Sequence, residues 1–498
     1  MNINTIENDF LQLLKEQSAY QEAIMLTHWD MRTKIPKKAV EQRSNVVGIL
    51  SEKLHSIETS DEMKHFIDVL KNRTENEVVK RAIEVCEETY EQNKKIPKEE
   101  FKEFVMLQSR AESVWQEARE KSDFTLFQPY LEQLVTYNKK FASYWGYDDN
   151  LYDALLHRFE PGMTTKQLDD VFLPLRESLT NLVDKINKSD HQLAASKLLI
   201  PFPKQDQEAF SVKVLEEMGY DFTSGRLDET VHPFAIPLNR NDVRVTTRYD
   251  EQDFRMAIFG TIHEGGHALY EQNIHPKLSN TPLSTGTSMG IHESQSLFWE
   301  NFIGRRKSFW ESHYDTFLTY APKPFQNIEL EEFYRLINDV QPSYIRIEAD
   351  ELTYCLHIMI RYELEKALMN DELAVKDLPE AWNEKMVEYL GIKPPNDRLG
   401  VLQDIHWSSG DFGYFPSYAL GYIYAAQFHH VLDSTNDIDS FIKNGDFHKI
   451  RQWLTEHIHQ FGKMKKPLDI VQEVTEEDIN PQYLIQYLTD KYTKIYQL

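Results

Sequence analysis

The residues with the clearest capacity for chemistry lie in the run Ile262-His263-Glu264-Gly265-Gly266-His267. On a helix, His263 and His267 fall one turn apart on one face, where two imidazoles can share a divalent ion such as Zn²⁺. Glu264 points to another side, from which it can act as general base on a metal-activated water without ligating the ion. Two imidazoles leave room for a third protein ligand and a water. A lone His-Glu-x-x-His also arises by chance, and two neighbouring features weigh against that reading. Gly265 and Gly266 each cost a helix interior about 1 kcal/mol relative to Ala, so a substrate or another element is expected to approach the backbone closely there. Downstream, Ile291-His292-Glu293-Ser294-Gln295 offers Glu293 as a third ligand. The Gly/Ser/Thr-rich stretch 282–290 reads as a loop that brings a second helix back beside the first.

The rest of the chain must hold these side chains in place. Its 498 residues are 41% hydrophobic and 12% aromatic, enough for a large core. A net charge of −25 argues against nucleic acid or an anionic membrane as partner. The two cysteines, Cys86 and Cys355, form neither a disulfide framework nor a metal-binding spacing, which suits a reducing compartment. The N-terminus is acidic and lacks the apolar core of a signal peptide. No apolar run reaches the ~18 residues that cross a bilayer. The expectation is a cytoplasmic protein.

Helical periodicity runs through most of the chain. Helices are expected over 42–54, 75–93 and 98–121, with breaks at Pro36 and Pro97. Another should open near Pro129. Thr164 and Gln167 form a capping-box pattern for a helix over 165–186, in which Pro174 predicts a kink or break. A short helix over 211–218 should close at Gly219. Val243, Val245 and Thr247 alternate with polar residues as in a strand. The proline-bearing segment 230–237 before them reads as an edge strand able to hold a peptide by main-chain hydrogen bonds. Helices then return over 296–313, 330–340, 344–369, 378–390 and 418–431, with two or three more to the C-terminus. The stretch 402–416 reads as a loop. No repeat or linker divides the chain, so the fold class expected is mainly α, one large helical domain spanning 1–498 with a small β-sheet beside a groove.

Six stretches carry a family resemblance. They are His232-Pro233-Phe234; Asp242-Val243-Arg244-Val245-Thr246; His263 to His267; His292-Glu293-Ser294-Gln295; Ile345-Arg346-Ile347-Glu348-Ala349-Asp350; and Gly400-Val401-Leu402-Gln403-Asp404-Ile405-His406-Trp407. With these in order, the chain resembles the Taq-type thermostable carboxypeptidases over essentially its full length. These are metallocarboxypeptidases of the gluzincin group of zincins, related in fold to neurolysin-like peptidases. The resemblance implies a deep, closed-ended groove, one divalent metal, a homodimer, and broad-specificity removal of single residues from peptides with a free C-terminal carboxylate. Co²⁺ or Mn²⁺ suits the same donors as Zn²⁺.

On this reading His263, His267 and Glu293 hold the metal and Glu264 is the base. Tyr418 or His406 is a candidate donor to the oxyanion. The family signature points to Arg346 as the grip on the substrate carboxylate, since a guanidinium binds one with two hydrogen bonds. A salt bridge from Arg346 to Glu348 or Asp350 is the structural rival. His232, Asp242, Arg244 and Thr246 shape the groove or hold the strand, and Asp404 and Trp407 help close its far end. Glu271 is a candidate to orient a ligand imidazole. Two alternatives stand beside carboxypeptidase action: a zinc oligopeptidase that cuts short peptides internally, and an inactive helical scaffold. The intact Glu264 argues against the scaffold.

Overall fold

The structure is a computed structural model describing residues 2–498. Helices dominate it. The three strands among the described residues are β1 (Leu227–Glu229), β2 (Ala235–Asn239) and β3 (Asp242–Thr247). β3 is central, parallel to β1 and antiparallel to β2. β2 is an edge strand, as suits its Pro237, but it starts later than residue 230. Its register shifts between Pro237 and Asn239, next to a residue with no N–H to give the ladder. β1 carries no alternation long enough to betray it.

Helix boundaries depart from the sequence pattern where a stronger signal sits nearby. The helix expected at Pro129 is Phe124–Trp145, opened by Asp123, whose carboxylate accepts from Thr125 N at 3.0 Å. A capping carboxylate is a better start signal here than the proline, which lies inside the helix. The capping box at Thr164 and Gln167 is present, and Thr165–Asn187 runs through Pro174 as one helix. Its buried face includes Leu168, Val171, Phe172, Leu175, Leu179 and Leu182. At about 1.5–3 kcal/mol per buried side chain, that face outweighs the ~3 kcal/mol cost of an internal proline. The helix closed by Gly219 begins at Lys204 rather than residue 211.

Three further expectations need correction. The stretch 296–313 is not one helix: Met289–Leu297 passes into a π-helical turn, Phe298–Gly304, and a new helix spans Lys307–Tyr320. The helix expected from 344 begins at Tyr354, so Arg346 sits on a 3-10 turn, Arg346–Glu348, in a loop. After the Pro416–Thr435 helix come four α-helices, not two or three: Ile438–Lys443, Phe447–His457, Pro467–Thr475 and Gln482–Tyr496. No helix among the described residues is long and apolar enough to cross a membrane.

The helix that carries the His-Glu-x-x-His motif, Phe254–Gln272, lies at the centre. Phe254, Ile258, Phe259, Ile262, Leu269 and Tyr270 are all buried. Apolar residues on every side mark a helix enclosed by others. It packs on β3, on Lys204–Met218 and on Met289–Leu297.

Candidate active site and metal centre

The central helix starts where the Asp253 side chain accepts from Arg255 N at 3.1 Å. Two turns on, His263 and His267 emerge on one face. Opposite them lies Met289–Leu297, whose first turn is fixed twice. The Ser288 hydroxyl accepts from Ile291 N at 3.0 Å. The fully buried Glu160 accepts from Ser288 Oγ at 3.0 Å, from Gly290 N at 2.9 Å and from Tyr424 OH at 3.1 Å. Burial pushes the Glu160 carboxyl up to about 7. One turn into this helix, Glu293 faces the two imidazoles.

The approach of these helices explains the paired glycines. A Cβ on Gly266 would meet Gln295 O at 2.5 Å and Ser296 Cα at 2.7 Å, and one on Gly265 would meet Leu215 of a third helix at 2.5 Å. Gly421 does the same on the other side, where a Cβ would lie 2.6 Å from Glu293 Cβ. Gly266→Ala should therefore force two backbones apart and cost roughly 1–3 kcal/mol, read as a lower denaturation midpoint. Gly260→Ala, whose Cβ meets nothing within 4 Å in the same helix, should be neutral or stabilising by up to about 1 kcal/mol.

His263, His267 and Glu293 offer ligand atoms that all lie within 4.8 Å of one another. Glu293 Oε2 is 3.8 Å from His263 Nε2 and 3.4 Å from His267 Nε2. The donor set, two ring nitrogens and one carboxylate oxygen, fits a divalent ion with a position left open. In the metal-free protein the three groups also set one another's charge. Burial raises Glu293, but the two imidazoles outweigh it and hold the carboxyl below its ordinary value. Burial would lower His263, but Glu293 and Glu300 outweigh it and raise the ring to about 10. Burial lowers His267 to about 4. Glu264 is pushed up to about 7, chiefly by burial, and its Oε2 is buried with no hydrogen-bond partner. Such an atom calls for a water or a ligand.

Behind the imidazoles stand groups that sequence reasoning missed. His263 Nδ1 lies 2.9 Å from Glu300 Oε2, and Arg305 Nη2 donates to Glu300 Oε1 at 3.0 Å. Burial opposes ionisation of Glu300, but His263 and Arg305 bring it down to about 2. Glu300 lies in the π-helical turn, whose wider winding rotates it away from the line a regular helix would set. Glu271 does reach a histidine, but it is His292, at 2.9 Å, and not a ligand imidazole directly.

Arg346 is linked to this cluster through Tyr418 of the Pro416–Thr435 helix. Tyr418, one turn before Gly421, has its ring 4.8 Å from the Arg346 guanidinium and its hydroxyl 3.2 Å from His406 Nε2. Burial pushes His406 down to about 3 and Tyr418 up to about 12, so both are neutral near pH 7. Arg346 is buried, and its partner is neither Glu348 nor Asp350. Nε and Nη2 pair with Asp404 Oδ1 at 3.0 and 2.9 Å. Asp350 is spent on the amides of Leu352 and Thr353, both at 2.9 Å, and Glu348 is exposed. The other Asp404 oxygen accepts from the fully buried Arg361 at 2.7 Å. Two guanidinium ions thus share one carboxylate.

The remaining signature residues are tied to their neighbours. Asp242 and Arg244 pair at 2.8 and 2.7 Å, and Arg244 lies over the Trp29 ring. Thr246 Oγ1 accepts from Phe234 N at 2.8 Å. Trp407 is buried and donates to Glu365 at 2.7 Å. Glu365 also accepts from Gly413 N at 2.9 Å, pinning the loop of His406. His232 is exposed and makes no side-chain hydrogen bond among the described residues, so it does not join the cluster.

The family model for Carboxypeptidase Taq (M32) metallopeptidase matches residues 9–492. The chain belongs to that family. It is 55% identical over 501 residues to Carboxypeptidase 1 of Bacillus subtilis (strain 168), covering 100% of both chains. It is 39% identical to Thermostable carboxypeptidase 1 of Thermus thermophilus, covering 97% of each. Among solved structures, the M32 carboxypeptidase from Deinococcus radiodurans R1 superposes with a TM-score of 0.96 at 34% identity, over 99% of this chain and 100% of that one. The fold is thus that of M32 carboxypeptidases, and the chain is a metallocarboxypeptidase that acts on peptides with a divalent metal.

Proposed function

We propose that the chain, acting as one catalytic domain over 1–498, removes single C-terminal residues from peptides with broad specificity. His263, His267 and Glu293 would hold the ion, which we take to be Zn²⁺; Co²⁺ and Mn²⁺ suit the same donors. When bound, such an ion supplies Lewis acidity toward a peptide carbonyl and acidifies water. Glu264 takes a proton from the attacking water and delivers it to the leaving amine. Tyr418 donates its hydroxyl hydrogen to the developing oxyanion, with His406 fixing the phenol. His232, exposed on its loop, is left to the groove wall as a substrate contact.

One observation favours exopeptidase action. Arg346 and Arg361 are buried around a single carboxylate, Asp404, leaving one positive charge without a partner. A buried surplus cation calls for an anion, and the terminal carboxylate of a peptide supplies it. The test is mass spectrometry of one peptide with a free and with an amidated C-terminus. Stepwise shortening of the free peptide alone is expected. Equal cleavage of the amidated form, or internal cuts, would establish the oligopeptidase reading instead. The family resemblance further supports a homodimer, checked by sedimentation equilibrium. Two buried unpaired thiols, Cys86 and Cys355, suit the reducing cytoplasm.

A further inference from the structure

The two imidazoles of the cluster are backed in different ways. His263 Nδ1 faces a carboxylate, Glu300, at 2.9 Å. His267 Nδ1 faces another ring nitrogen, His292 Nδ1, at 2.6 Å. His292 Nε2 in turn lies 2.9 Å from Glu271 Oε1. That oxygen also accepts from Thr285 Oγ1 and Gly286 N, both at 2.9 Å.

A hydrogen bond between two imidazole nitrogens needs one proton between them. With Nε2 of His267 turned to the ion, its Nδ1 carries hydrogen and donates. His292 Nδ1 then accepts, so the His292 proton sits on Nε2 and is donated to Glu271. Glu271 Oε1, which already accepts from Thr285 Oγ1 and Gly286 N, is the acceptor at the end of the line, so every proton along it has one place. The ring of His292 has little freedom to turn. A Cβ on Gly286 would lie 2.6 Å from His292 Cδ2, and the buried Tyr270 ring lies at 5.2 Å.

We infer that His292 is a positioning residue for the metal site, setting the tautomer and ring plane of His267 through a relay anchored on Glu271. The inference rests on the metal-binding reading proposed above. It has a chemical consequence: His267 is polarised by a neutral acceptor, whereas His263 is polarised by an anion, so the two ligands differ in donor strength.

Two variants of similar size separate the links of the relay. In His292→Asn the amide oxygen takes the place of ring Nδ1 and can still accept from His267. In His292→Gln the amide reaches the Nε2 position, toward Glu271, and leaves His267 without its acceptor. Zinc affinity is measured by chelator competition, with thermal unfolding of the metal-free proteins alongside. His292→Asn should bind zinc within about threefold of the parent, and His292→Gln at least tenfold more weakly, with equal unfolding midpoints. A purely structural histidine would show both variants alike, whether both unchanged or both equally weakened, and either result overturns the inference. His263→Ala serves as control: if it retains parental zinc affinity, the metal reading itself fails, independently of His292.

Discussion

Glu264→Gln is expected to bind zinc as tightly as the parent chain while turnover falls by roughly 10²–10⁴-fold. Glu264 leaves the central helix on a different side from His263 and His267, and it is not among the three residues whose ligand atoms converge. The substitution keeps shape and burial but removes the proton acceptor. It also removes a buried carboxylate whose pKa is raised to about 7. In the folded protein that group holds its proton more tightly than in the unfolded chain. Its ionisation therefore costs stability as pH rises from the ordinary carboxyl range toward 7. The metal-free glutamine variant should consequently be no less stable than its parent at pH 8. Parental turnover in this variant would remove Glu264 from the mechanism.

The largest loss of stability is expected at Asp404. Asp404→Ala leaves Arg346 and Arg361 buried together without a counter-ion, and breaking a buried pair in this way costs about 3–5 kcal/mol. Here one carboxylate serves two cations, so the variant should unfold at a clearly lower denaturant concentration, or should not fold at 37 °C. Burial would raise the Asp404 carboxyl, but Arg361 and Arg346 outweigh it and hold it well below the usual range. The stability it contributes is fully present above the unfolded value of about 3.9 and is lost as pH falls from there toward the lower folded value. Asp404→Asn keeps one acceptor and should fall between the parent and the alanine variant. An alanine variant as stable as the parent would show that water reaches the guanidinium ions, and would weaken the case for a carboxylate-binding surplus charge.

Contacts between segments far apart in the chain override local signals at several positions. Pro174 and Pro129 are local signals, yet a buried apolar face and a capping aspartate decide those helices. Arg346 has acids near it in sequence at Glu348 and Asp350, whereas its partner Asp404 lies 58 residues away. Glu271 sits one turn from His267 on the same helix, yet its contact is with His292, 21 residues on. Glu160 caps the helix of Glu293 through the amide of Gly290, 130 residues on. No spacing rule reaches contacts of that kind.

What the sequence determined by itself is whatever a single helix enforces. Residues four apart share a face, so His263 and His267 had to point the same way, and Glu264 another. Two glycines in a helix interior had to be explained by close approach. Only the tertiary structure decided which neighbours those side chains meet. Those contacts depend on how separate helices are rotated against one another, down to a single π-helical turn that swings Glu300 behind His263. Such rotations are set by the packing of the whole core and leave no periodic trace in any one segment.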